Sequence, residues 1–415
     1  MFLNRIISVF FNVTVLSRFV VNLTIIAFVF ILGVISSDDF ATEIFIILSI
    51  IKMTAAFMSF GFGANILKPL IEASPSYRTS LLLHIVVVKI IFAYAASFAI
   101  YYLGIISGLD FHVIFFLLLG AVWGFVDIYV ESMSRPMYNR YFITKAVFSV
   151  FALILKLLFI KINHSYLYYI LTIEGAYSLV FIMLTHIKKS SIKEGIKLNY
   201  FRDVYKLIKY GFYIWVSSFL QIGGSRTIYL LINASVMSNF SVFYYILLRL
   251  TEGLVFIPNN ICARFYKKII LAKKDLFLQQ KLRYKMLFTC LTSSFVISPI
   301  LFIILFIYLE FKLLDVNNYY ALILFPMVIA INFLSFIRVW VSREIILNEN
   351  FIASPFSYLI SLLFTIIGIH FFSDKGIWIV VSLVMYYGAS SITPFLINTR
   401  KMASTRTIFK KLYNG

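Results

Sequence analysis

The sequence predicts an all-α integral membrane protein of about twelve transmembrane helices, and three observations carry that prediction. The 415 residues are 62% hydrophobic with a mean hydropathy of +0.96, whereas soluble domains have about 45–50% apolar residues. Apolar runs of about 20 residues, the length that crosses a bilayer, recur from end to end. The connections between those runs alternate sharply in charge.

Read between breaks, the runs fall at about 14–36, 40–66, 79–104, 111–134, 142–162 and 165–187, then 208–232, 240–263, 286–309, 318–341, 352–372 and 377–398. Each connection has its own character. Asp38 and Asp39 separate the first two runs, Lys68 and Arg78 the next pair, and Asp110 the pair after that. Arg135 and Arg140 follow the fourth run, and Lys161 follows the fifth. A long basic connection with Lys188, Lys189, Lys193, Lys197, Arg202 and Lys206 comes after the sixth. Another, from Arg264 to Arg283 by way of Lys267, Lys268, Lys273, Lys274 and Lys281, comes after the eighth. Glu310, Lys312 and Asp315, then Arg343, then Asp374 and Lys375 mark the last three turns, before a tail with Arg400, Lys401, Arg406, Lys410 and Lys411. Basic connections mark the cytoplasmic side. Both termini are therefore expected in the cytoplasm, with the chain multi-pass in a bacterial inner membrane. Met1–Arg5 leads into the first run without a small-residue cleavage site, so that run is expected to stay as a span.

The midpoint divides the chain into an N-terminal six-helix lobe (1–190) and a C-terminal one (210–400). Between them lies a basic connection (191–209) suited to an amphipathic helix on an anionic surface, and a basic tail (401–415) follows. The halves look related. With Phe40 set opposite Phe240, Ser49 falls opposite Arg249 and Lys52 opposite Glu252, polar at the same two depths and on one helical face. Repeats of this kind build transporters with a site near the midplane.

The formal net charge of +20 invites a nucleic-acid reading. Its scatter over short connections excludes that partner, and most of it is topological. Outward connections are too short for an extracytoplasmic catalytic domain. No Walker loop, metal-ligand cluster or Ser/His/Asp set exists, so no enzyme activity, metal or other cofactor is expected. Cys262 and Cys290 offer neither a disulfide framework nor zinc spacing. His112, His164 and His370 read as boundary residues.

Lys52, Lys89, Lys156, Arg226 and Arg249 lie well inside the apolar runs. A base at the bilayer centre costs about 2.5–3.5 kcal/mol on insertion scales, so their accumulation points to an anion handled between the helices. Lys52 is roughly 18 Å and Arg249 roughly 13 Å from the outer edge by helical rise, too deep to snorkel. Arg249 has Glu252 at i+3 as a structural partner. Arg226 follows the small, polar patch Gln221, Gly223, Gly224 and Ser225, which serves equally for close helix packing or a wet stretch. Lys156 is near enough to the edge to snorkel, Lys89 could be neutralised by Asp127, and Arg18 could anchor the first span. Proton or sodium coupling needs a titratable acid. Glu174 is the first candidate, Asp127 the second and Glu252 the third; a fixed ion pair with Lys156 or Lys89 is the competing role. Pro258, Pro299, Pro326, Pro355 and Pro394 are placed to kink spans, and Gly61, Gly63, Gly223, Gly224 and Gly253 to let helices approach.

The stretch Asn239-Phe-Ser-Val-Phe-Tyr-Tyr-Ile-Leu-Leu-Arg249-Leu-Thr-Glu252, leading to Phe256-Ile-Pro258, resembles the seventh-to-eighth-span passage of the polysaccharide flippases of the MOP superfamily, in particular the Wzx-type O-antigen transporters. Asn318-Tyr-Tyr-Ala321, Arg343-Glu-Ile-Ile-Leu347 and Asp374-Lys-Gly376-Ile-Trp resemble further segments of that family, and length, span number and basic centre extend the resemblance over nearly the whole chain. The sequence departs from the family in carrying Arg226 where an acid is usual in the seventh span, and Ser241 or Val242 for the turn glycine.

The resemblance implies two six-helix lobes around a V-shaped central cavity, lined partly by spans one, two, seven and eight, which carry Arg18, Lys52, Arg226 and Arg249. It implies a flippase that moves a polyprenyl-diphosphate-linked oligosaccharide, of the undecaprenyl type, to the outer leaflet, alongside membrane lipids and other polysaccharide-assembly proteins. The substrate-binding set is then Lys52, Arg249, Arg226, Arg18 and Lys89, with tyrosines such as Tyr94, Tyr129, Tyr177, Tyr229 and Tyr245 available to stack on sugars or to fill the core. A MATE-like small-molecule exporter of the same superfamily is the alternative, with an acidic cavity expected. A membrane-embedded polysaccharide polymerase is less favoured, for want of an outward catalytic loop.

Overall fold

The computed structural model describes residues 13–59, 75–106, 108–131, 135–162, 164–185, 199–235, 238–272, 275–312, 318–347, 353–372 and 380–397. All regular structure among them is helical. In order, the helices are α1 (Val13–Ile35), α2 (Asp38–Phe57), α3 (Pro75–Tyr102), α4 (Phe111–Ala121, a 3-10 turn Val122–Gly124, then Phe125–Glu131), α5 (Arg135–Ile162) and α6 (His164–Thr185). They continue with α7 (Asn199–Ser235), α8 in two segments (Ser238–Leu254 and Phe256–Leu271), α9 (Leu276–Lys312), α10 (Asn318–Leu347), α11 (Ala353–Phe372) and α12 (Val380–Ile397). Nine stretches among the described residues are long and apolar enough to cross a membrane. The protein is a multi-pass membrane protein.

The expected helices are all present, but several bounds move for physical reasons. Pro258 has no N–H to donate, and its ring crowds the carbonyl four residues back, that of Leu254; α8 breaks there, at Val255. Pro299, Pro326 and Pro394 lie inside α9, α10 and α12. Pro355 sits in the first turn of α11, where a missing N–H costs little. Two helices are longer than any bilayer needs. Both α7 and α9 run for 37 residues, about 55 Å at 1.5 Å per residue. The basic connections expected before them are thus partly helical: 199–207 continues into α7, and 276–285 opens α9. Gly61, Gly63, Lys68, Asp315, Asp374, Lys375, the tail and residues 186–198 of the basic midpoint connection lie outside the described residues.

The chain divides into two compact units, residues 1–35 with 43–226, and residues 36–42 with 227–415. In the first, α1 packs along α5, α4 and α5 along α6, and α3 along α4. Close backbone approach is set by Gly120 and Gly175. A Cβ on Gly175 would collide with the Gly120 carbonyl, and one on Gly120 would meet the Thr172 carbonyl oxygen at 2.9 Å. In the second unit, α9 packs with α10 and the end of α8, and α12 packs with α10 and α11. Gly368 serves the α11–α12 contact, where a Cβ would meet Met385 Sδ at 2.8 Å. The link between α1 and α2 belongs to this unit: Lys312 donates to the Ser36 carbonyl at 2.7 Å and to Asp38 at 3.1 Å.

Cys262 and Cys290 are free, buried thiols with sulfurs 3.7 Å apart, enclosed by Ile269, Met286 and Val339.

Candidate functional site

The first unit holds part of its intramembrane charge in two ion pairs. Lys156 on α5 is 2% exposed and donates to Glu174 on α6, with its ammonium 5.0 Å from the Phe28 ring of α1. Lys156 therefore does not snorkel; it is turned inward and neutralised. Roughly 16 Å along α5 by helical rise, Lys145 bonds both oxygens of Asp127 at 2.7 and 2.9 Å. Tyr141 donates to the same carboxylate and contacts Ser178 at 2.6 Å, which ties α4, α5 and α6 together. Asp127 is thus the partner of Lys145, not of Lys89. Lys89 is 2% exposed and donates to the Met58 carbonyl, in the turn that closes α2. Arg18 lies over the Phe142 ring at 4.3 Å, a cation–π contact between α1 and α5. Its anchoring is internal to the unit.

Lys52 stands apart because it is exposed on an apolar helix, five residues before that helix ends at Phe57. Ser49, one turn earlier, is fully buried. One turn further on, Phe57 packs on Trp215 and Phe219 of α7, and the Trp215 indole donates to the Phe57 carbonyl at 2.6 Å. Arg226 is 1% exposed, and its small neighbours Gly223, Gly224 and Ser225 are buried with it.

In the second unit, α8 supplies the densest polar grouping. Residues 241–251 are buried at every position, as an all-round apolar helix must be when it runs through a core. Arg249 interrupts this run at 5% exposure. Tyr245, one turn back on the same face, accepts from Arg249 Nε at 2.9 Å, and the guanidinium lies 4.9 Å from its ring. Glu252 takes Nη1 at 3.3 Å, a long contact. Tyr229 of α7 packs on Tyr245 with ring centroids 4.8 Å apart. Tyr129, Tyr229 and Tyr245 are all buried, so they are core residues in this structure.

A second arginine lies in the same unit. Arg338 on α10 is 5% exposed and sits 4.7 Å from the Tyr387 ring and 5.9 Å from those of Tyr358 and Tyr386. Glu252 is close enough for its charge to act on Arg338. Two arginine groupings thus stand in this unit: Arg249 with Tyr245 and Glu252, backed by Tyr229, on α8 and α7, and Arg338 with Tyr358, Tyr386 and Tyr387 on α10, α11 and α12. Sequence reasoning missed Arg338 because it falls near the end of its apolar run, where an arginine ordinarily anchors a span. A depth argument from one helix carries no information about the tyrosines on α11 and α12. Glu344 was missed for the same reason; it pairs with Arg283 at 2.9 Å, joining α9 to α10.

Among the described residues no group of acidic, histidine or cysteine side chains could hold a metal ion. No family model and no curated protein matches the sequence. Solved structures do. The eukaryotic MATE transporter AtDTX14 is 14% identical, covering 95% of this chain and 96% of its own, with a TM-score of 0.63. An inward-facing multidrug-resistance MATE transporter of the MOP superfamily is 12% identical over 95% and 99% of the two chains, TM-score 0.64. A MOP-superfamily transporter from Pyrococcus furiosus, whose binding pocket is described as being of reverse polarity, is 10% identical over 95% of each chain, TM-score 0.58. The protein has the MATE-type fold of the MOP-superfamily transporters.

Proposed function

We propose that this chain is a flippase that carries a polyprenyl-diphosphate-linked oligosaccharide from the inner to the outer leaflet of the bacterial inner membrane. One observation supports this above the others. Among the described residues, the buried charged side chains are five bases, Lys89, Lys156, Arg226, Arg249 and Arg338, against one acid, Glu344. A diphosphate presents about two negative charges, which guanidinium forks and ammonium groups bind well. Flipping breaks no bond; it requires a polar route for a headgroup that lipid cannot solvate. In this reading Lys52 and Arg249 bind the diphosphate, Arg226 assists, both termini are cytoplasmic, and a proton or sodium gradient supplies direction through an acid such as Glu252. Glu174 and Asp127, held by Lys156 and Lys145, serve better as structural anions. For the Pyrococcus furiosus protein, a reversed polarity of the binding pocket suggests a different function, which is an argument from charge sign of the same kind.

The likeness to MATE transporters favours a second reading, export of a small molecule. The test separates the two. In a strain lacking the gene, complementation with Lys52→Ala or Arg249→Ala is expected to leave protein level normal and reduce surface polysaccharide several-fold. Full surface polysaccharide with both variants, together with drug sensitivity in the deletion strain, would establish the exporter instead.

A further inference from the structure

The exposed apolar face of α9 is nearly as long as the helix itself, and longer than a bilayer is thick. Phe277, Tyr284, Phe288, Phe295, Ile303 and Phe311 are between 52% and 70% exposed. They follow one another at four, seven or eight residues, one or two helical turns, and so form a single slowly winding stripe. From Phe277 to Phe311 the rise is roughly 51 Å, against about 30 Å for a hydrocarbon core. Helix tilts reach about 40°, and a straight helix then crosses the core in roughly 26 residues. Glu310 and Lys312 flank Phe311 and fix that end at one edge. The stretch 277–284 therefore lies past the other edge.

That projecting end is a built helix. Asp275 caps it, accepting from the Leu278 N–H at 2.9 Å with its carboxylate and from the Gln279 N–H at 2.9 Å with its carbonyl. Its inner face is committed: Leu282 and Met286 pack with Cys262, Ile269 and Cys290, and Arg283 pairs with Glu344. Its outer face presents Phe277, Tyr284 and Phe288 with Lys281 and Lys285 between them, all exposed.

We propose that this outer face, from Phe277 to Phe288, docks on the headgroups of acidic phospholipids, with Lys281 and Lys285 on the lipid phosphates and the three rings lying among the headgroups. The face is continuous with the stripe that meets the acyl chains, so the same bilayer occupies it. Aromatic rings concentrate at the membrane–water interface, and each lysine near an anionic leaflet favours contact by roughly fivefold. Charge selects this occupant over others. From Arg264 to Lys285 the sequence holds eight bases and one acid, Asp275, which repel a second copy and the basic tail alike. The contact is separate from the roles given to Lys52 and Arg249 and stands whatever cargo the protein moves.

The experiment reconstitutes the full chain in vesicles of phosphatidylcholine alone or of an equal mixture with phosphatidylglycerol. Phe277→Cys carries a fluorophore, and a water-soluble quencher is present on both sides; the native thiols Cys262 and Cys290 are buried and do not compete for the label. Should Phe277→Cys fold poorly, Tyr284→Cys takes its place. In the mixed vesicles the label is expected to be about tenfold less accessible to quencher than in phosphatidylcholine, and adding Lys281→Gln/Lys285→Gln to remove that difference. A label on Phe295→Cys, within the hydrocarbon, is the control for folding and should be shielded in both. High access in both lipids leaves the face in water and overturns the proposal. Equal shielding in both, indifferent to the lysine changes, overturns it too and assigns the face to a second copy or another segment of this chain. Survival of the lipid dependence without the two lysines contradicts their role on the phosphates and overturns it as well.

Discussion

Lys156 and Glu174 show what burial does to an intramembrane charge. At 2% and 16% side-chain exposure, the two groups hold each other where little water can replace either. Removing one partner of such a pair costs about 3–5 kcal/mol, because the other is left charged and unsolvated. Glu174→Gln is therefore expected to lower the Tm of the purified protein well below that of Lys156→Met/Glu174→Leu, in which neither charge remains. Equal Tm values for the two variants would mean that the pair carries little. The sequence placed both residues in apolar runs and offered an ion pair as one of two roles for the acid. It could not choose, because pairing depends on the rotation of α5 against α6. The same limit made Asp127 look available to Lys89, when Lys145 and Tyr141 already hold it.

Helices were the most legible level. Twelve apolar runs and their turns could be read because the bilayer sets both their length and their composition. The contacts between helices were hidden. Sequence reasoning picked Gly223 for close approach, yet a Cβ there would meet only Phe219, on its own helix, at 3.2 Å and Met53 at 3.6 Å. The tight crossing lies at Gly120 and Gly175, on helices α4 and α6, and neither glycine stands out from its neighbours in the sequence. A methyl group on Gly175 would drive the two backbones apart, and overpacking of this kind costs about 1–3 kcal/mol or more. Gly175→Ala is expected to lower Tm and detergent-resistant yield. Gly124→Ala, with open space where its Cβ would stand, is the control and should leave both unchanged. A Gly175→Ala protein as stable as the control would contradict the crossing.

At the scale of the whole molecule, fold and charge carry different information. Twelve helices carry the MATE-type fold, and the excess of buried bases among the described residues is what the proposed anionic cargo rests on. The +20 formal charge was a poor guide by itself, since most of it lies on the connections between apolar runs. The informative residues are few: Lys52 and Arg226 in the first unit, Arg249 and Arg338 in the second. Three of the four could be read from sequence because they sit deep within apolar runs; Arg338 needed its tyrosines in view. The most direct test of the cationic reading is translocation in purified proteoliposomes. Vesicles loaded with a polyprenyl-diphosphate-linked oligosaccharide are sampled for glycan exposed to an outside lectin. Translocation well above protein-free vesicles, cut at least tenfold by Lys52→Ala/Arg249→Ala, is the predicted result. A rate equal to that of protein-free vesicles, with cationic drugs transported by the same preparation, would contradict it.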